Sequence, residues 1–115
     1  MDATALEALL ASLETGEIRE FNAWRQTFPH AAVNLSKTNL KDADLRGANL
    51  AGADLRWANL EGADLREATL AGANLKEANT KGANLTGVSY AYATMSRAQL
   101  DSIEEQNRTT VYLID

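Results

Sequence analysis

No cysteine occurs in the 115 residues, which excludes disulfides and thiolate metal sites. Aromatic residues make up only 6% of the chain against 45% for all hydrophobic residues, and most of the latter are Ala and Leu. A core must therefore be assembled from many small, similar contacts and not from a few large rings. Pro29 is the only proline and His30 the only histidine. The N-terminus lacks a basic segment ahead of an apolar run, carrying Asp2 and Glu7 instead, so a secretory signal is not expected. No apolar stretch approaches the roughly 18 residues that a membrane span needs. The expectation is one domain in the cytoplasm, with no membrane partner.

An excess of basic charge is also missing. The net charge is −5, and its placement matters more than its sum. Residues 1–32 carry a net −3, residues 96–115 a net −2, and residues 33–95 balance seven acids with seven bases. Without a basic patch to hold phosphates, direct nucleic-acid binding is disfavoured.

What the chain does contain is a repeat of period five. Leu35, Leu40, Leu45, Leu50, Leu55, Leu60, Leu65, Leu70 and Leu75 recur every fifth residue, and the series continues through Thr80, Leu85, Tyr90, Met95 and Leu100. Two residues earlier a small residue recurs, Val33 and Thr38 and then Ala43 through Ala83. Between the two sits Asn or Asp, with Thr69 the exception as far as Asn84. A period of five fits neither regular element. Five residues of α-helix advance about 140° beyond a full turn, so the leucines would spiral round the surface. On a flat strand an odd period sends successive leucines to opposite faces. A chain that bends by a quarter turn every five residues buries them all, and four such units close a coil of twenty.

These residues resemble the pentapeptide-repeat family, over residues 33 to about 98. The resemblance implies a right-handed quadrilateral β-helix, an all-β solenoid, with residues twenty apart stacked at about 4.8 Å. Leu35, Leu55, Leu75 and Met95 then form one interior column. Leu40, Leu60 and Thr80 form a second, Leu45, Leu65 and Leu85 a third, and Leu50, Leu70 and Tyr90 a fourth. Thr80 and Tyr90 break the pattern and point to a less regular last coil, because a buried hydroxyl needs an acceptor and a phenol needs an edge. The Asn and Asp side chains are expected to bond neighbouring backbone at the corners. Gly47, Gly52, Gly62, Gly72, Gly82 and Gly87 fall at those corners.

A solenoid exposes its core and unpaired backbone at both ends and needs caps. The expected division is a helical N-terminal cap over 1–32, the solenoid over 33–98 and a short helix and strand cap over 99–115. Thr4-Ala5-Leu6-Glu7 reads as a capping box, and Leu6, Leu9, Leu10 and Leu13 follow on one helical face. Gly16 marks a stop, and a second helix carries Ile18, Phe21 and Trp24 up to Pro29. The run from Glu20 to Arg25 looks like the helical cap of many bacterial family members. Ser96-Arg97-Ala98-Gln99 is a further capping box, opening a helix to about Gln106. Thr109 to Ile114 reads as a strand that pairs either with its own last coil or with a second molecule.

Little in the sequence points to catalysis. His30 lies in the cap-to-coil junction without partner residues and reads as a turn residue. Asp44 and Asp64 should stack, but Arg46 and Arg66 neutralise them, and the column continues with Asn84, so the position selects a corner hydrogen-bonder. No catalytic, cofactor or metal site is expected, and no cofactor. Two surface features remain as candidate interaction surfaces. Ala51, Ala71 and Ala91, with Gly52 and Gly72, leave one outer face nearly bare, with Tyr92 at its corner. Trp57 stands at another corner between Lys37 and Glu77. The expected function is a non-catalytic scaffold or protein-interaction module, its partner another protein or a second copy through the C-terminal segment. The family resemblance also raises mimicry of DNA towards a topoisomerase, DNA gyrase. Neutral coils and a length of about 17 Å argue against that reading.

Overall fold

A computed structural model describes residues 4–108. The chain opens with α1 (Ala5–Thr15) and α2 (Ile18–Thr27). Thr4 and Glu7 close a reciprocal capping box at the start of α1, and Gly16 ends it at φ 77°, a left-handed conformation that glycine adopts without a Cβ clash. The buried line of α1 runs Ala5, Leu9, Ser12, one residue per turn of the helix. Leu6 and Leu13 flank it half-buried, whereas Leu10 is 47% exposed and does not share the face expected of all four leucines. Centring on Leu9 rotates Leu10 outward. Across the hairpin Phe21 is fully buried and stacks on Trp24 at 6.2 Å, and Trp24 meets Phe28 at 5.6 Å.

From Val33 the backbone coils. Residues 34, 39, 44 and 49 pair in parallel with residues twenty further on, and the ladder continues through Asn74 and Thr94. At each rung the pattern repeats: Leu35 N donates to Asp54 O at 2.8 Å, Asp54 N to Val33 O at 2.8 Å, and Lys37 N to Arg56 O at 2.9 Å. Residues 33–52, 53–72 and 73–92 thus make three stacked coils of a β-helical solenoid. Each side turns after a single pairing residue, so the ladder consists of isolated bridges and, among the described residues, no continuous strand. Asx bonds hold most of the corners. The side-chain oxygens of Asn34, Asn39, Asp44, Asn49, Asp54 and Asn59 each accept from the amide two residues on, at 3.0–3.3 Å.

The interior is aliphatic. Leu35, Leu40, Leu45, Leu50, Leu55, Leu60, Leu65, Leu70, Leu75 and Leu85 are all between 0 and 2% exposed, and Ala48 through Ala73 fill the adjoining inward position at 0–1%. The columns loosen at the C-terminal end, where Thr80 and Met95 are half-buried and Tyr90 is exposed. The coil's last bridge is at Thr94, and α3 (Arg97–Gln106) begins behind Ser96, whose hydroxyl caps it in a box with Gln99. Ala98, the expected end of the repeat, therefore lies on the helix. Ile103 is the buried apolar residue of α3. The strand expected over Thr109 to Ile114 falls outside the described residues.

Candidate functional site

Turning the chain every five residues requires one left-handed residue per corner. Glycine fills half of these places, but Lys37, Asp42, Trp57, Glu67, Glu77 and Tyr92 adopt φ of 57–62° instead. Such a conformation is uncommon for a side chain with a Cβ and an outlier for a bulky one. Three of the four corner columns combine one such residue with two glycines. The fourth is Lys37, Trp57, Glu77, with no glycine at all. The structure thus places its most strained corner around Trp57.

Trp57 is 52% exposed. Lys37 Nζ lies 5.8 Å and the Arg56 guanidinium carbon 5.9 Å from its ring centroid, close enough for cation–π attraction. The indole is thus held by two cations and otherwise half open to solvent. Tyr92 occupies the corner above Gly72 and is 97% exposed. Trp57 and Tyr92 stand at neighbouring corners and flank the side that carries Asp54, Asn74 and Thr94. Ala51 and Ala71 are half-buried and Ala91 exposed along the adjoining side, whose first rung is covered by Arg25 Nη2 donating to Ala51 O at 2.9 Å.

Three acidic residues of the coil, Asp44, Asp54 and Asp64, are tied to arginine. Arg46, Arg56 and Arg66 each fork onto the carboxylate two residues earlier, at 2.7–2.9 Å. The hydrogen bonds from Arg46 hold the Asp44 carboxyl down to about 2. Those from Arg56 and Arg66 lower Asp54 and Asp64 in the same way. Asp44 and Asp64 do stack, as a bridged pair, but with their oxygens engaged by guanidinium they are poor cation ligands. Among the described residues no group of three His, Asp or Glu side chains is gathered for a metal. His30 is exposed in the turn after Pro29.

Sequence reasoning missed the side chains that close the ends of the stack. At the first coil, Asn22 of α2 accepts from Asn49 N at 2.8 Å and donates to Gly47 O at 3.0 Å. At the last, Gln106 accepts from Leu85 N at 2.7 Å and donates to Ala83 O at 3.1 Å. One coil below, the backbone of Asn84 makes the same two bonds to Leu65 and Ala63, both at 2.9 Å. The carboxamide of Gln106 therefore replaces the peptide group of a missing coil. Asn107 accepts from Gly87 N at 2.7 Å, as Thr86 O accepts from Glu67 N one coil below, and also donates to Leu85 O at 3.0 Å. The only sequence signal is the run of carboxamides at the end of α3, and it has no meaning until the helix is laid across the rung.

Residues 31–66 and 68–102, well over half of the chain, match the family model described as pentapeptide repeats, in eight copies. The chain belongs to the pentapeptide-repeat family. Among solved structures, a pentapeptide repeat protein from the cyanobacterium Cyanothece 51142 is 44% identical, over 55% of this chain and 44% of that one, at a TM-score of 0.54. This pentapeptide-repeat chain thus spans less than half the length of that relative. A pentapeptide repeat protein of the Arabidopsis thaliana thylakoid lumen is 32% identical over 56% of this chain and 52% of its own, at a TM-score of 0.40, too low to carry an argument about shape. No curated protein matches. Among the described residues no helix is long and apolar enough to cross a membrane.

Proposed function

We propose that this pentapeptide-repeat chain is a non-catalytic protein-interaction module, a rigid right-handed stack that presents aromatic side chains at its corners. The observation that carries this reading is the pair Trp57 and Tyr92, exposed and held at left-handed φ on neighbouring corners. Strained conformations cluster where they serve a function, and glycine is the residue that satisfies such a corner without strain. Exposed aromatics on a stiff frame lose little entropy on binding, which suits them as anchors. The bare face of Ala51, Ala71 and Ala91 beside Tyr92 lets a partner surface approach closely. No observation favours mimicry of a DNA duplex, since Asp44, Asp54 and Asp64 are each paired with arginine.

The test compares the wild-type chain with a Trp57→Gly, Tyr92→Gly double variant as baits in cell extract. Glycine relieves the corners, so both baits should be equally folded by circular dichroism. Proteins retained by the wild type and lost from the variant support the reading. Identical sets of retained proteins would place the interaction elsewhere.

A further inference from the structure

The last coil is sealed on one side and open on the one before it. Gln106 and Asn107 close the rung of Ala83 to Gly87. On the preceding side, the lower coils pair regularly: Leu40 N to Asn59 O at 2.7 Å, Asp42 N to Glu61 O at 2.8 Å, Leu60 N to Asn79 O at 2.7 Å and Gly62 N to Lys81 O at 2.9 Å. Thr80 and Gly82 hold the same places in the last coil, and neither amide has a partner among the described residues. A recess of about 560 Å³ lies over them, with Thr80, Lys81 and Gly82 on one wall and Ser96, Ala98 and Ser102 on the other. Thr80 is also the polar break in a column that continues below it as the buried Leu60 and Leu40. A hydroxyl at that place suits a rung that is not closed over by apolar packing.

We infer that this rung is a β-addition site, at which an extended segment of another protein lies parallel to Thr80–Gly82 and replaces the missing side of a coil. The inference rests on the reading of the chain as an interaction module and names a second surface for it. Chemistry selects the ligand. Two amides separated by two residues of chain, roughly 6 Å, require carbonyl oxygens at the same spacing, which an extended polypeptide offers and a single small anion does not reach. Main-chain pairing of this kind supplies affinity with little dependence on sequence. Gln99 already donates to Ala78 O at 3.0 Å, so the rung is left with donors and calls for acceptors. Asn107 sits on Gly87 at the far end of the neighbouring side. Stacking the first coil of a second copy on this rung is blocked, because its α2, which lies across that coil through Asn22 and Arg25, would meet α3 before the rungs met.

The experiment titrates a capped hexapeptide of alternating threonine and valine into the isotope-labelled full chain, with backbone amide resonances as the readout. The expected result is saturable movement led by Thr80 and Gly82. Ala98→Trp, at an exposed position of α3, fills the recess and should weaken binding by about tenfold or more while leaving the circular dichroism unchanged. Lys81→Trp blocks from the opposite wall and serves the same purpose should the first variant not fold. Absence of saturable movement at Thr80 and Gly82 up to about 1 mM peptide overturns the site, as does binding indifferent to both tryptophans. Movement centred on Trp57 and Tyr92 also overturns it, while leaving the interaction-module reading standing.

Discussion

Leu55 contributes to folding through the neighbours above and below it in its column, Leu35 and Leu75, all three buried. Its replacement by Ala leaves a void that a stack locked by ladder bonds cannot collapse around, and should cost roughly 2–5 kcal/mol by chemical denaturation. A near-neutral Leu55→Ala would contradict the packed interior. Asp54 is different. Its Oδ1 receives Arg56 N at 3.1 Å, a bond that an asparagine keeps, and its ion pair is partly exposed to solvent. Asp54→Asn should therefore cost less than about 1 kcal/mol. Tyr92 touches almost nothing and is strained, so Tyr92→Gly should be neutral or stabilising by up to about 1 kcal/mol, the relief of strain being partly offset by the greater freedom of glycine when unfolded. A clear loss of stability would mean that the corner is not as described. The carboxyls of Asp44, Asp54 and Asp64 are depressed in the folded state, Asp44 to about 2. Their stabilisation is present above the ordinary carboxylate range near 4 and is lost as pH falls towards about 2. Solvent screening keeps it small, and an acid melt should show a shallow decline over that window.

At the scale of elements, α3 does more than cover apolar surface. Through Gln106 and Asn107 it supplies three hydrogen bonds that a further coil would have made, and one more to Leu85 O. Gln106→Ala leaves Leu85 N and Ala83 O without partners and should cost about 1–3 kcal/mol. Gln106→Glu keeps the acceptor and loses the donor, so its effect should be intermediate, measured by thermal melting at neutral pH. Much of the fold was legible in the sequence because the same contact recurs. A leucine every fifth residue has one way to be buried, and Asn or Asp beside it repeats the same corner bond. The capping boxes at Thr4 and Ser96 were legible for the same local reason. The seals were not, because which rung Gln106 reaches depends on the length and tilt of α3. Leu10 was misplaced because a stripe of four leucines hides which one lies at its centre. The corner at Trp57 could be located by position, but its strain became meaningful only once Lys37 and Glu77 proved to share the conformation.

For the whole molecule, helices lie over both ends of a neutral stack, which predicts that the full chain is a monomer. Sedimentation velocity on the full chain and on a form ending at Arg108 checks this. A dimer that the truncation dissolves into folded monomers would assign an interface to the C-terminal segment. The molecule is a ladder of twenty-residue coils, sealed at the last rung by carboxamides on one side and open on another. Native-state hydrogen exchange, read residue by residue, tests it most directly. The amides of Leu60, Gly62, Leu85 and Gly87 should exchange slowly, and those of Thr80 and Gly82 fast. Protection at Thr80 and Gly82 equal to that at Leu60 and Gly62, or rapid exchange at Leu85 and Gly87, would contradict it.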